Sequence, residues 1–529
     1  MRAEKLSIIL VVFAVCAGAF AEIKMPSIFS DGMVLQAQKG ASVWGTARAG
    51  AKVDVVFGGA EKSAQAGADG KWRVELGSLE KSATPRKLEV FENGKLAKTV
   101  SDVLVGEVWV CAGQSNMAYT FGWMPKSYSA KFYAEADNVK NIREFFTPPR
   151  GIAETPQWDF PKGSRWIKAQ KGNLDEISCV GYFFAREISQ HLDTPVAIIY
   201  VPTGGSNMMC WISEENVTNV AVWKQRWQAF LNAKAKHTDE VFAKQLAAYE
   251  GILAAHKEEV EKAKKAGKPA PKFEAWRYPQ PVRITPWRVG KTPTYLWNGR
   301  IAPLAGFGAR GILWYQGESD TAFDGEGKFD SSAHFAEQFG ALISQWRRAW
   351  GEADMPFISV QLASYDQKYG RWADVRLRQR EVAAAMCGGM IATAIDLGEE
   401  KDIHPRYKDV LGGRLADIAL CDVYGRSAEG CRSAVFYSFN FDGDKVFAAC
   451  KSGSPLVVRG ELRGVEVLVG GKWVAPKSLS FADNVLVAQA DGRVDGVRYL
   501  HKNWAQPDVC IFSRDGLPAF PFMKLRKAK

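Results

Sequence analysis

The sequence predicts an α/β fold: a three-layer α/β/α domain built on a parallel sheet, preceded by a β-sandwich and followed by a β-rich segment. Three observations predict it. From about residue 103, apolar runs recur and each is followed by an amphipathic stretch, the alternation that produces a parallel sheet covered on both faces. Residues 22–102 instead carry short strands separated by the turn pairs Asp69-Gly70 and Asn93-Gly94, which read as hairpin connections. Residues 426–529 return to β character.

In chain order, residues 1–21 read as a secretory leader: a basic start at Arg2 and Lys5, an apolar run from Leu6 to Ala14, and the small-x-small site Ala19-Phe20-Ala21. The apolar run is short for a membrane span, so cleavage before Glu22 is expected. The chain is therefore expected to be exported to the periplasm, the cell surface or the medium, with no integral span left after cleavage. Residues 22–102 form the N-terminal β-sandwich, with strands at Ser42–Gly45, Lys52–Phe57, Asp69–Leu76 and Lys87–Glu92. Residues 103–425 form the central domain, with strands at Val103–Cys111, Val196–Val201, Gly311–Tyr315, Pro356–Gln361 and Met390–Ala394. Its helices are expected at Gly181–Leu192, His334–Trp350 and Val375–Cys387. A helical insertion interrupts it at about 221–275, rich in Ala, Lys, Glu and Gln and ending in Gly267-Lys-Pro-Ala-Pro271. In the C-terminal segment, strands are expected at Ala434–Phe439, Leu456–Arg459, Val465–Val469 and Ser480–Ala488.

The chain has 529 residues, which allows two to four domains. With 47% hydrophobic and 24% charged residues it commands a large core without staples. The formal net charge is +11, but the basic residues are scattered and no nucleic-acid module is present, so no nucleic-acid partner is expected. A basic surface favours acidic substrates or anionic surfaces instead. An exported chain permits disulfides, and Cys421–Cys431 is the expected local pair; most of the other cysteines lie in apolar runs and read as buried thiols.

The chemistry concentrates at strand ends. In Val108–Met117 an apolar strand stops at Ala112-Gly113 and delivers Ser115 at its carboxyl end, where open α/β sheets form ligand crevices. A serine needs a base, an orienting acid and an oxyanion site. His404, one of six histidines, lies in Asp402-Ile-His-Pro405 in an acidic, turn-like context after a strand. It is the candidate base, with Asp402 as its partner. Pro202-Thr-Gly-Gly-Ser-Asn207 follows another strand and offers the backbone N–H groups of Gly204 and Gly205. Gly311–Asp320 is a third strand ending in polar groups, with Gln316 as a side-chain donor and Glu318 as an organiser. Gln114 and Asn116, which flank Ser115, complete the candidate oxyanion and substrate-binding set. Three polar strand ends converging on one crevice are more specific than any one alone.

These blocks carry a resemblance. Gly113-Gln-Ser-Asn-Met117, Trp314-Tyr-Gln-Gly-Glu-Ser319 and Asp402-Ile-His-Pro405 resemble the signature blocks of SGNH (GDSL-like) hydrolases, and specifically the sialate O-acetylesterase family. Ser27–Gln36, Val43-Trp-Gly45, Trp297-Asn-Gly299, Arg300–Leu304 and Asp515–Phe522 are similar to further landmarks of that family, so the likeness covers nearly all the chain beyond the leader. It implies an SGNH-like hydrolase domain with Ser115 as nucleophile, His404 as base and Asp402 as its acid. The N–H groups of Ser115 and of Gly204 or Gly205 would line the oxyanion hole, and Gln316 would complete it. Two departures stand out: the superfamily often places its acid three residues before the histidine, where this chain has Lys401, so Asp396 is the alternative acid; and Asp320 stands where relatives often carry Asn.

The resemblance implies an exported carbohydrate O-acetylesterase acting on O-acetylated glycan or sialic acid. No metal and no cofactor is expected: the chain has no His-Glu-x-x-His, no paired cysteine ligand motif and no Gly-x-Gly-x-x-Gly after a strand. An acetyl xylan, xyloglucan or pectin esterase is the alternative, and a non-catalytic carbohydrate-binding protein the remote one.

Overall fold

The structure, a computed structural model, describes residues 23–139, 141–149, 151–274, 277–321, 330–367, 370–426 and 430–527. The expected leader lies outside the described residues. The central sheet runs Ile391–Thr393, Phe357–Gln361, Gly311–Tyr315, Lys95–Gly113, Val196–Tyr200, Ile142–Phe146, Arg165–Lys168. All pairs are parallel except the Arg165–Lys168 edge. Every residue of Val196–Tyr200, Gly311–Tyr315 and Phe357–Gln361 is buried, as a parallel sheet covered on both faces requires. That is why Val196–Tyr200 and Gly311–Tyr315 read as unbroken apolar runs; Phe357–Gln361 buries Ser359 and Gln361 among its apolar residues. Ile142–Phe146 and Arg165–Lys168 escaped the sequence reading because charged residues interrupt them.

Strand order reverses at Lys95–Gly113. The chain next adds strands on one side, ending with Val196–Tyr200 beside it, and then builds outward on the other from Gly311–Tyr315. The carboxyl end of this strand is thus a topological switch point, where a crevice opens between diverging connections. The same strand also reaches back into the N-terminal region, pairing with Ser82–Glu92 through a turn at Asn93 and Gly94, both at positive φ. The boundary expected between residues 102 and 103 therefore falls inside one continuous strand. Around it, Lys52–Phe57 joins Ala60–Gln65 and Ser82–Glu92, while Gly40–Thr46 pairs with Lys71–Ser78. In the latter strand Trp72, Val74 and Leu76 are buried and the residues between them exposed, the period of a one-sided sheet.

Helices Cys179–Leu192 and Lys408–Asp422 pack together, as do Phe335–Trp350 and Trp372–Met386. Ser178 caps the first by accepting from the Gly181 N–H, and Asp193 ends it in a left-handed conformation. The insertion forms two helices, Ala221–Ala235 and Asp239–Lys265; Trp223 and Phe230 seat the first, whereas the second buries no residue. The C-terminal segment forms two four-stranded antiparallel sheets around its own core, which includes Val446, Val467 and Tyr499. The strand expected at Ser480–Ala488 is instead a hairpin, Ser478–Ala482 to Val485–Gln489, turned by Asp483 and Asn484 at positive φ. Short polar side chains tolerate that conformation, so the turn needs no glycine to mark it. The segment docks on the Trp372–Met386 helix: Asn503 Oδ1 accepts from the Trp372 N–H, and His501 pairs with Asp374 at 3.0 Å. Cys421 and Cys431 are joined as a disulfide, as expected, and the remaining six cysteines described are buried thiols. Among the described residues no helix is long and apolar enough to cross a membrane.

Candidate active site

Gly113 ends the switch-point strand at φ +127°, and a Cβ there would come within 2.1 Å of the Tyr315 carbonyl oxygen. Only glycine lets the two strands close at this point. The chain then turns into a short helix, Ser115–Ala118, in which Asn116, Met117 and Ala118 are buried while Ser115 is half-buried. As the first residue of that turn, Ser115 has an N–H with no intrahelical acceptor. Its hydroxyl reaches the ring of His404, 289 residues away in sequence, with Oγ to Nε2 at 2.8 Å. His404 arrives on the loop between the Ile391–Thr393 strand and the Lys408–Asp422 helix. Burial is the main force holding its ring below the ordinary histidine range; the charge of Lys408 adds to it and Asp402 opposes it.

Asp402 behaves differently from a buried triad acid. Its Oδ1 accepts from the His404 backbone N–H at 2.8 Å, but it lies 3.8 Å from Nδ1, and the carboxylate is 60% exposed. It therefore fixes the loop and faces the ring through space, beyond hydrogen-bond distance. Asp396, the alternative acid, is held bidentately by Arg414 at 2.7 Å.

The glycine loop lies beside Ser115. Its Thr203 N–H donates to the Gly113 carbonyl, Gly204 lies beside the Ser115 Cβ, and Gly205 is at φ +68°. Both glycines are exposed, while Thr203 and Ser206 are buried. Gln316 does not serve as an open oxyanion donor. Its Nε2 donates to the Ser206 carbonyl at 3.1 Å and also to Asp320 Oδ2, and a carboxamide has only two such protons. It braces the loop from below. Asp320 suits that job as an acceptor: it also takes the Met208 N–H and the Ser331 hydroxyl. Gln114 Oε1 accepts from the Ser319 N–H at 3.1 Å. Glu318 is buried, which pushes its carboxyl up, and accepts from Asn116 Nδ2 at 2.6 Å.

Three residues, among them Arg300 from one of the landmark blocks, were given no site role in the sequence reading. Arg300, fully buried, donates to the Pro202 carbonyl at 2.7 Å, the Thr203 hydroxyl at 2.6 Å and the Thr147 carbonyl at 2.8 Å. It thereby sets a cation behind the glycine loop. Lys408 is 1% exposed, and burial draws its ammonium down to about 7. A signal for it existed: Lys408, Leu411, Leu415 and Ala419 share one buried helix face, where a lysine has no packing reason to be. Trp123, 58% exposed, stands edge-on to the His404 ring with centroids 6.2 Å apart. With Tyr119, Pro125, Glu399, Asp402 and Arg406, Trp123 and His404 bound an open cleft of about 310 Å³. Within it, Arg406 pairs with Glu399 at 2.9 Å. The site thus offers a hydroxyl in contact with an imidazole whose charged form burial disfavours, a glycine loop beside it, and an aromatic wall.

Residues 283–421 match the family of carbohydrate esterases described as sialic acid-specific acetylesterases. The chain is 26% identical to a sialate O-acetylesterase of Rattus norvegicus over 459 residues, covering 80% of this chain and 78% of that one. It is 24% identical to the sialate O-acetylesterase of Homo sapiens over 437 residues, covering 76% and 71%. The crystal structure of a carbohydrate acetylesterase from Xanthomonas citri superposes with a TM-score of 0.76 at 26% identity, covering 95% of this chain and 99% of that one. The resemblance first read from the motif blocks is borne out across most of the chain.

Proposed function

We propose, from the premise that the chain is a carboxylic-ester hydrolase, that it removes acetyl groups from O-acetylated sugars, with O-acetylated sialic acid as the favoured substrate, through an acetyl-enzyme on Ser115. The observation that carries the reading is the 2.8 Å contact between Ser115 Oγ and His404 Nε2 at the switch point of the sheet. His404, held in its neutral form, takes the hydroxyl proton as Oγ attacks the acetyl carbonyl. The developing oxyanion is received by the N–H groups of Ser115 and of Gly204 or Gly205, and the cation of Arg300 behind that loop adds positive potential. Protonated His404 then gives its proton to the departing sugar oxygen. In the second half, His404 activates water, acetate leaves, and Ser115 is restored. Asp402 favours the imidazolium through space. No step needs a metal or cofactor.

The sugar would lie in the open cleft with one apolar ring face against Trp123, since an exposed indole beside the base gives a pyranose a flat surface. The preference for sialic acid rests on the family matched over residues 283–421 and on the curated relatives. We read the two helix pairs as the outer layers of the α/β/α hydrolase domain, residues 103–425, with the β segments buttressing it. We also read the chain as exported. The test is a panel of O-acetylated sialosides, xylan and pectin with acetate detection, run on the wild type and Ser115→Ala. Acetate release that Ser115→Ala abolishes, with the melting temperature unchanged, is expected; undiminished release would end the assignment. Faster release from acetylated xylan than from sialosides would overturn the choice of sugar alone.

A further inference from the structure

Lys408 takes no part in the proton transfers just described, yet it is buried beside them. Its Nζ donates to Asn116 Oδ1 at 2.6 Å. The other end of the same carboxamide, Asn116 Nδ2, donates to Glu318 Oε1 at 2.6 Å and to the Ile403 carbonyl at 2.9 Å. Asn116 follows the nucleophile, Ile403 precedes the base, and Glu318 lies just beyond the third strand end. One side chain therefore joins three of the four segments that meet at the site, the glycine loop being the fourth. A carboxamide can sit either way round, and its partners decide which. With an ammonium on one side and two acceptors on the other, only one orientation satisfies every group; the ammonium holds the oxygen end as Glu318 and the Ile403 carbonyl hold the amide end, and without it the oxygen loses its charged partner.

We propose that Lys408 is a positioning residue that, by orienting Asn116, ties the His404 loop to the Ser115 turn and keeps the hydroxyl within reach of the ring. The inference rests on the Ser115–His404 reading of the site. Glu318, Asp402, Glu399 and Cys179 face the ammonium electrostatically, with the rings of Tyr119 and Tyr315 at 5.0 and 5.5 Å. Its charge also reaches His404 and opposes protonation of the ring. A purely structural lysine would affect how much enzyme folds. A positioning lysine also changes how the folded enzyme responds to pH.

The experiment compares the wild type with Lys408→Met and with the double variant Lys408→Met/Glu318→Gln. The double variant removes the buried carboxylate that the single one leaves uncompensated, so it folds even where the single variant does not. 4-Nitrophenyl acetate hydrolysis is measured from pH 4 to 9 per folded molecule, counted by near-ultraviolet circular dichroism. The expected result is a fall in kcat/KM of at least about ten-fold in both variants. In Lys408→Met the acid limb of the profile also moves to higher pH, because the ring has lost a neighbouring cation. Folded enzyme with kcat/KM within about two-fold of the wild type and an unmoved limb overturns the proposal. Failure of the underlying reading is told apart by Ser115→Ala in the same assay: if that variant still turns over, the site assignment falls whatever Lys408 does.

Discussion

Asp402→Asn tests how the acid acts. In a buried triad the carboxylate hydrogen-bonds Nδ1, and converting it to an amide costs about 10⁴-fold in kcat by selecting the wrong tautomer. Here Asp402 Oδ1 is 3.8 Å from Nδ1 and the carboxylate is 60% exposed, so the interaction is charge on charge through a wet medium. At that separation Coulomb's law gives about 1 kcal/mol in a water-like dielectric and about 4 kcal/mol at an effective dielectric of 20. The exposure places the pair near the lower figure. About 1 kcal/mol of lost imidazolium stabilisation corresponds to roughly a five- to ten-fold fall in kcat/KM. The amide of the variant keeps a carbonyl oxygen to accept the His404 backbone N–H, so the loop stays in place. The assay is kcat/KM for 4-nitrophenyl acetate and for an acetylated sugar, with the melting temperature as a folding control. A loss of about 10³-fold or more in folded enzyme would refute the reasoning. It would mean that the carboxylate closes on Nδ1 during turnover.

The His404 ring sits below the ordinary histidine range, and it must be neutral to accept a proton. kcat/KM should therefore rise with pH and reach half its plateau below pH 6.5; a midpoint above 6.5 in the wild type would contradict the burial argument. Asp402 favours the charged ring, so Asp402→Asn should move that midpoint to still lower pH. Arg300→Met leaves the Pro202 and Thr147 carbonyls without their buried donor, and should cost about 3 kcal/mol or more in urea unfolding; a loss under about 1 kcal/mol would show that the loop does not depend on it. Trp123→Ala should raise KM for an acetylated oligosaccharide by about two- to ten-fold while leaving 4-nitrophenyl acetate within about two-fold; equal effects on both would place the indole outside the sugar site.

Much of the molecule was legible in the residues alone, and for a physical reason. A parallel strand covered on both faces favours apolar residues, so Gly311–Tyr315 and Val196–Tyr200 announce themselves, whereas Ile142–Phe146, which buries Arg143 and Glu144, does not; the polar groups that follow mark the crevice end of the sheet. The two residues proposed as nucleophile and base were readable from the same pattern: Ser115 stands directly after such a strand, and His404 lies on a loop after another. Turn chemistry was readable where glycine signals it, at Asn93-Gly94, and unreadable where Asp483-Asn484 does the same work without glycine. What only the tertiary structure decided is which partner each polar group finds. Gln316 reads as a free donor until the Ser206 carbonyl and Asp320 are seen to claim both its protons. Asp402 reads as the acid two residues from the base, but whether it touches Nδ1 depends on ångström-scale loop geometry that spacing along the chain does not encode. Lys408 and Asn116 look ordinary 292 residues apart, and become a hydrogen-bonded pair because the sheet returns to the same edge three times. Periodicity reports burial, which is local to a strand or helix; hydrogen-bond pairing is settled between segments, and only the folded chain brings those segments together.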